Sequence, residues 1–321
     1  MSMNERANQK EFEYKTSPHL HSKFSTTKVM WLVNLSLLPC LISAVIFFGF
    51  YQLVIVFTAI VFSVFTEFLI QKLTKQKVTI TDGSAFLTGL LLALTLPPNF
   101  SLSATAIGSI FAIGIGKQVF GGLGYNIFNP ALAGRAFLQA AFPVEITTWT
   151  KPAFSVDAVT SATPLAAFKY DKVLTELKPL IIGNVGGCIG ETSAIAILIG
   201  GIFLILIGIV NYRIPLAMIV GIFLFGGIFN VIDPAKYPPP IFHLFAGGFM
   251  LGAFFMATDY VTSPVTSKGM WIYGLGISLV IVIIRLFGGV PEGVMYSILF
   301  MNAFVPLINK YTIPKPFGLK E

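Results

Sequence analysis

Residues Val29–Thr66 contain no Asp, Glu, Lys or Arg, and neither do residues Gly83–Gly116. Further charge-free runs cover Thr192–Tyr212, Ile214–Ile232, Tyr237–Thr258, Gly269–Ile284 and Gly293–Asn309. A helix needs about 20 mostly apolar residues to cross the hydrocarbon core of a bilayer, and a soluble fold has no use for so many such runs. Charged residues make up 11% of the chain and hydrophobic residues 55%, against roughly 25% charged in soluble domains. The chain reads as an all-α polytopic membrane protein. That excludes a soluble enzyme, a nucleic-acid binder and a secreted scaffold as descriptions of the whole. The net charge of +7, which in a soluble protein would hint at nucleic acid, reports topology here.

The apolar pattern predicts ten spans, near 29–48, 51–70, 84–97, 102–119, 129–142, 182–209, 214–232, 241–257, 270–287 and 291–309. Span three ends at Pro97-Pro98, and span six opens with the glycine-rich stretch Gly183–Gly190 ahead of Glu191. Both features predict broken or re-entrant helices, which membranes tolerate only under cover of protein or a water-lined cavity. With the N-terminus inside, fifteen Lys and Arg fall on the inner side, Lys117 and Arg135 among them, and six on the outer side. The positive-inside rule therefore favours ten spans with both termini cytoplasmic. Residues 1–28 form a charged N-terminal tail rather than a cleavable signal peptide, and 310–321 a second tail. Residues 29–142 and 181–309 are two five-helix halves, separated by an extracytoplasmic loop at 143–180. An odd number of spans per half gives the halves opposite orientation, as in inverted-repeat folds. A short echo agrees with this: Phe120-Gly121-Gly122 before Asn129, and Phe287-Gly288-Gly289 before Asn302.

Acids in apolar surroundings are expensive, about 2.5–3.5 kcal/mol or more in lipid, and mark ion or proton paths. Glu67, Asp82, Glu191, Asp233, Asp259 and Glu292 lie in or at the ends of the spans. Asp82, Asp233 and Asp259 read as helix-end caps. Glu67 and Glu191, with more apolar sequence around them, are the ion-path candidates. Lys117 and Arg135 flank the glycine-rich segment Gly121-Gly122-Leu123-Gly124-Tyr125-Asn126 and offer partners for these acids or for an anionic cofactor. That segment lacks the preceding strand and the lysine–serine ending of a nucleotide-binding P-loop. It reads as close helix packing or as close backbone approach to a flat ligand, with Gly121, Gly122, Asn126 and Arg135 as candidate flavin neighbours. Cys40 and Cys188 read as small core residues. His19 and His21 fall in the tail, apart from the third histidine, His243. No metal site is expected.

The outer loop carries Asp157-Ala158-Val159-Thr160-Ser161-Ala162-Thr163-Pro164. On physical grounds this is a polar turn in which Pro164 forces Thr163 into extended backbone and displays its hydroxyl. The string resembles the flavinylation motif Asp-(Gly/Ala)-x-(Ser/Thr)-(Gly/Ser)-Ala-Thr. Further stretches are similar to one family throughout, the RnfD/NqrB membrane subunits of ion-pumping redox complexes. They are Lys117–Gly124, Asn129–Phe137, Ile189–Ala194, Phe255–Asp259 and Met301–Phe304. The short N-terminal tail is more similar to RnfD than to NqrB.

The resemblance implies a subunit of an Rnf-type ferredoxin:NAD oxidoreductase that couples electron transfer to Na+ or H+ export across a prokaryotic cell (inner) membrane. It implies FMN esterified through its phosphate to Thr163 by a flavin transferase, with Asp157, Thr160 and Ser161 completing the motif. It also implies a second, non-covalent flavin, riboflavin, among the spans of some members. No stretch resembles a nicotinamide or ferredoxin site, so the whole reaction belongs to the complex with its other subunits. The rival reading from the inverted halves and buried acids is a channel or secondary transporter without a redox cofactor.

Overall fold

The computed structural model describes residues 24–150, 152, 162–234 and 236–314. Every regular element among them is helical. Helix α1 (Thr26–Ser36) begins at Ser25, whose hydroxyl accepts the Lys28 N–H at 3.3 Å. It passes through Leu37 into α2 (Leu38–Phe48), where Pro39 sits in the first turn and needs no N–H partner. Helix α3 (Tyr51–Leu73) follows directly.

Helix α4 (Ser84–Leu94) starts where Asp82 Oδ1 accepts the Ser84 N–H at 2.8 Å, the capping role its sequence position predicts. It stops short of Pro97-Pro98. Helix α5 (Leu102–Gly114) and helix α6 (Pro130–Ala141) complete the first half. Asn129 caps α6 by accepting the N–H groups of Ala131 and Leu132 at 3.1 and 3.3 Å.

The second half holds α7 (Ala194–Leu206), α8 (Arg213–Gly221, continuing helically to Ile232), α9 (Pro240–Phe245), α10 (Phe249–Leu251, continuing to Met256), α11 (Ser267–Phe287) and α12 (Val294–Thr312). Packing order repeats between the halves. Helix α3 lies on α5 and α5 on α6, as α8 lies on α11 and α11 on α12. Helices α1 and α2 close against α7, and α6 meets α12 across the interface.

The ten expected spans resolve into two kinds. Five helices are long and apolar enough to cross a membrane: Thr26–Phe48, Tyr51–Leu73, Leu102–Phe120, Arg213–Ile232 and Ser267–Phe287. Others are shorter or broken, including Ser84–Leu94 and Ala194–Leu206. Expected span six is helical only from Ala194, and 183–193 is irregular backbone, as its glycines predict. Two of its backbone N–H groups are satisfied by the broken end of α4. The N–H groups of Ile189 and Gly190 donate to Leu96 O at 2.9 Å and Leu94 O at 2.7 Å. Two chain breaks from different halves thus bond to each other, the cover by protein that irregular backbone needs at membrane depth.

Close helix approach depends on small residues. At Gly200 of α7, an added Cβ would fall 2.0 Å from the Ser36 carbonyl oxygen of α1. Only glycine lets these two helices meet there.

Candidate functional site

On the side of the α4 N-terminus, α3 and the segment after α5 place Glu67 against Lys117. The ammonium lies 2.8 and 2.9 Å from the two carboxylate oxygens, and both side chains are 1% exposed. Lys117 also donates to Ser84 Oγ at 2.6 Å, and Gln118 and Gln71 donate to Glu67 Oε1 at 2.9 and 3.2 Å. The carboxylate is thereby neutralised and saturated. Lys117 consequently does not belong among the topology-setting surface charges.

Beside this pair runs a narrow cleft of about 70 Å³, lined by Lys117, Asn126, Asn129, Thr258 and Asp259 among others. Asp259 accepts the Thr262 hydroxyl at 3.0 Å in a turn, and Asp233 likewise takes the Lys236 N–H at 3.2 Å. The glycines of the segment are turn formers: Gly121 and Gly122 have φ of +114° and +95°. Of the expected flavin neighbours, only Asn126 lines this cleft.

Arg135 lies elsewhere. It lines a second cavity of about 670 Å³ together with Trp149, Thr163, Tyr170, Glu191, Phe245 and Glu292. Arg135 shares this cavity with Thr163 of the 143–180 loop. Its guanidinium is buried beneath the loop and donates to Thr95 O and, at 3.2 Å, to Cys188 Sγ. Cys188, expected as a plain core residue, is therefore part of a polar cluster. Its backbone N–H donates to Glu191 Oε1 at 2.9 Å. On the other wall, Glu292 Oε2 accepts the Gly248 N–H at 3.2 Å, and Glu292 Oε1 lies 3.4 Å from Arg285 Nη2. Arg285 is buried, and its other bonds go to the carbonyls of His243 and Ala246 at 2.6 and 2.9 Å.

Thr163 is half-buried at the cavity rim, with extended backbone (φ −65°, ψ 156°) as Pro164 demands. Its hydroxyl accepts the Ala166 N–H at 3.2 Å. Pro164 does not keep helix away. It occupies the first position of a short helical segment that Thr163 caps, because a first-turn residue has no helical N–H partner to lose. Lys169 donates to Gly288 O at 2.5 Å and Val290 O at 2.8 Å, and Tyr170 Oη to Gly289 O at 3.3 Å. Burial, and secondarily Lys172, hold the Lys169 amine below the usual lysine range. This segment is thus clamped onto the α11–α12 connection. Lys172 instead lies 5.3 Å over the Phe168 ring. Asp157, Thr160 and Ser161 lie outside the described residues.

The volume falls within the roughly 300–1,000 Å³ of small-molecule sites, and Trp149, Tyr170 and Phe245 offer ring surfaces. Two buried polar atoms at the cavity, Arg135 Nε and Thr192 Oγ1, have no hydrogen-bond partner among the described residues. A flat, polar-edged group such as a flavin fits these features, whereas the cleft beside Glu67 and Lys117, at about 70 Å³, has room for little beyond water.

Residues 13–318 match the family model described as the NQR2, RnfD, RnfE family. Among similar proteins, the D subunit of a proton-translocating ferredoxin:NAD(+) oxidoreductase complex from Clostridium ljungdahlii is 47% identical, with 97% of each chain covered. The D subunit of an Na(+)-translocating ferredoxin:NAD(+) oxidoreductase complex from Acetobacterium woodii is 46% identical over 95% of each. The corresponding D subunit of an ion-translocating oxidoreductase complex from Aliivibrio salmonicida is 37% identical, over 95% of this chain and 98% of its own. Alignment across nearly the whole length, on an all-helical scaffold with five membrane-length helices, makes this multi-pass membrane protein a member of the NQR2, RnfD, RnfE family.

Proposed function

We propose that this chain is the RnfD-type membrane subunit of an Rnf complex that passes electrons between ferredoxin and NAD while moving a cation across a prokaryotic cell membrane, and that Thr163 carries FMN through a phosphoester. The observation that carries this reading is the placement of the Thr163 hydroxyl on the wall of the large cavity. Bound there, FMN would supply one-electron carriage on the outer side of the membrane. The protein's own task is to hold and shield it. Trp149, Tyr170 and Phe245 would offer ring surfaces to it, and Arg135 and Thr192 would offer hydrogen-bonding atoms to its polar edge.

Maturation requires a flavin transferase to reach the Thr163 hydroxyl, and function requires the other subunits of the complex. Riboflavin, the second cofactor of this reading, belongs at Asn126 and requires the cleft there to widen. Both termini are cytoplasmic and the 143–180 loop is extracytoplasmic. Of the two ion-path acids, Glu67 is already held by Lys117, so the reading rests on Glu191. Similarity does not choose the ion, because a proton-translocating and an Na(+)-translocating relative match almost equally, at 47% and 46%.

Ultraviolet fluorescence of the denatured protein in a gel tests the reading. Wild-type chain made with the transferase gives a fluorescent band and Thr163→Val gives a dark one. A band that persists in the variant moves the attachment elsewhere. A dark wild-type band favours the channel or transporter reading, for which the repeated packing order and the broken helices speak.

A further inference from the structure

We propose that Glu191 and Glu292 form one shared proton site that takes up a proton when an electron enters the outer cavity and releases it when the electron leaves. This inference rests on the placement of the flavin at Thr163 and goes beyond it, because it assigns a chemical role to two residues of the cavity wall.

The two carboxylates come from separate breaks in the fold and converge on one dipeptide. A Cβ at Gly247 would fall 2.2 Å from Glu292 Oε2, and one at Gly248 would fall 3.1 Å from Glu191 Oε2. A Cβ at Gly187 would likewise lie 2.8 Å from Glu191 Oε1. Only bare backbone at these three positions lets both acids reach the same place. A second observation points to exchange with the cavity. Thr192, next to Glu191, is 2% exposed and lines the cavity, and its hydroxyl has no partner among the described residues. Glu191 and Glu292 line the same cavity, so a proton can reach either carboxylate from there.

Charge balance gives the pair its function. Arg135 and Arg285 approach from α6 and α11 and offset the two carboxylates when both are ionised. The other titratable groups around the pair are committed. Cys188 is bound by Arg135, and Lys169 and Tyr170 donate to the carbonyls of 288–290. His243, in α9, is buried beside Arg285 rather than at the cavity. An electron arriving in the cavity leaves the cluster one negative charge in excess, in a medium that screens charge poorly. Two adjacent carboxylates compensate this by sharing one proton, titrating as a pair. A metal cation suits the place less well. It needs several oxygen ligands, whereas two guanidinium groups stand beside these acids, and backbone N–H groups already occupy Glu191 Oε1 and Glu292 Oε2.

The step balances. One electron, from the ferredoxin side of the complex, enters the cavity. One H+ leaves the outer aqueous phase, and an O–H bond forms on a carboxylate oxygen. When the electron passes to the next carrier, that O–H bond breaks and the proton returns to the outer phase.

Redox titration of the covalent flavin in the intact complex at a series of pH values tests this, with infrared difference spectra recorded at each step. The wild-type potential should fall as pH rises, by up to about 59 mV per tenfold change in proton concentration for one electron. A carboxylic-acid C=O band should appear on reduction. Glu191→Gln and Glu292→Gln should each flatten the slope and remove the band, whereas Glu191→Asp should keep both with the band displaced. A slope and band unchanged in both Gln variants overturn the proposal, and so does a wild-type spectrum without the band. A wild-type potential that follows Na+ concentration rather than pH overturns it in favour of a metal cation. If the Gln variants do not assemble, the wild-type band and its displacement in Glu191→Asp decide. Absence of fluorescent flavin from the wild-type protein would instead be the failure of the Thr163 reading, so the two failures are distinct.

Discussion

Lys117 Nζ reaches both carboxylate oxygens of Glu67, at 2.8 and 2.9 Å, across fifty residues of sequence, from the turn after α5 to helix α3. The pair is fully buried, and its desolvation is offset by Ser84, Gln118 and Gln71. Removing one partner of such a pair leaves an uncompensated charge and costs about 3–5 kcal/mol, while replacing both with apolar groups is close to neutral. Lys117→Met and Glu67→Gln should therefore each lower the thermal stability of the purified protein sharply, and the double variant should recover most of the loss. A double-variant loss equal to the sum of the two single losses would show that the pair is not coupled.

Across the interface between the halves, hydrogen-bond partners orient the Asn302 amide. Its nitrogen faces Thr262 O and Ile298 O at 3.2 Å and Tyr273 Oη at 2.6 Å, and its oxygen accepts the Asn129 N–H at 3.1 Å. Asn302→Leu strands several buried polar groups, at about 1–3 kcal/mol for each left unmet. Hydrogen exchange should rise around 256–262 and at the start of α6. Unchanged exchange there would remove Asn302 as a tie between the halves.

Gly200→Ala places a methyl 2.0 Å from the Ser36 carbonyl, against rigid backbone. Overpacking of this kind costs about 1–3 kcal/mol. The variant should be less heat-stable than Gly114→Ala, where the nearest atom is the end of the Ile70 side chain at 3.7 Å. Equal stability would mean that α1 and α7 do not pack as described.

Orientation is testable at Lys172, which is exposed on the 143–180 loop. With Cys40 and Cys188 both buried, Lys172→Cys should react with an impermeant thiol reagent in intact cells. Reaction only after the cytoplasmic face is opened would invert the topology.

Much of the fold was legible because membrane crossing is a one-dimensional constraint. Charge-free runs mark the apolar helices, and Asp82 caps α4 as a short-range rule requires. The glycine stretch before Glu191 announced irregular backbone, and Thr163 was marked by a local motif together with the proline after it. All of these signals lie within a few residues of what they specify. Tertiary structure decided the rest. Nothing near Glu67 names Lys117 as its partner, nothing near Arg135 says that it joins Thr163 and Cys188, and Glu292 reads as one acid among six until Gly247 and Gly248 bring it beside Glu191. Charges buried from distant segments must find counter-charges, but which ones they find depends on how the two halves pack. The sequence by itself determined where the chain is apolar and where it breaks; only the packing of the halves determined which breaks and which charges meet.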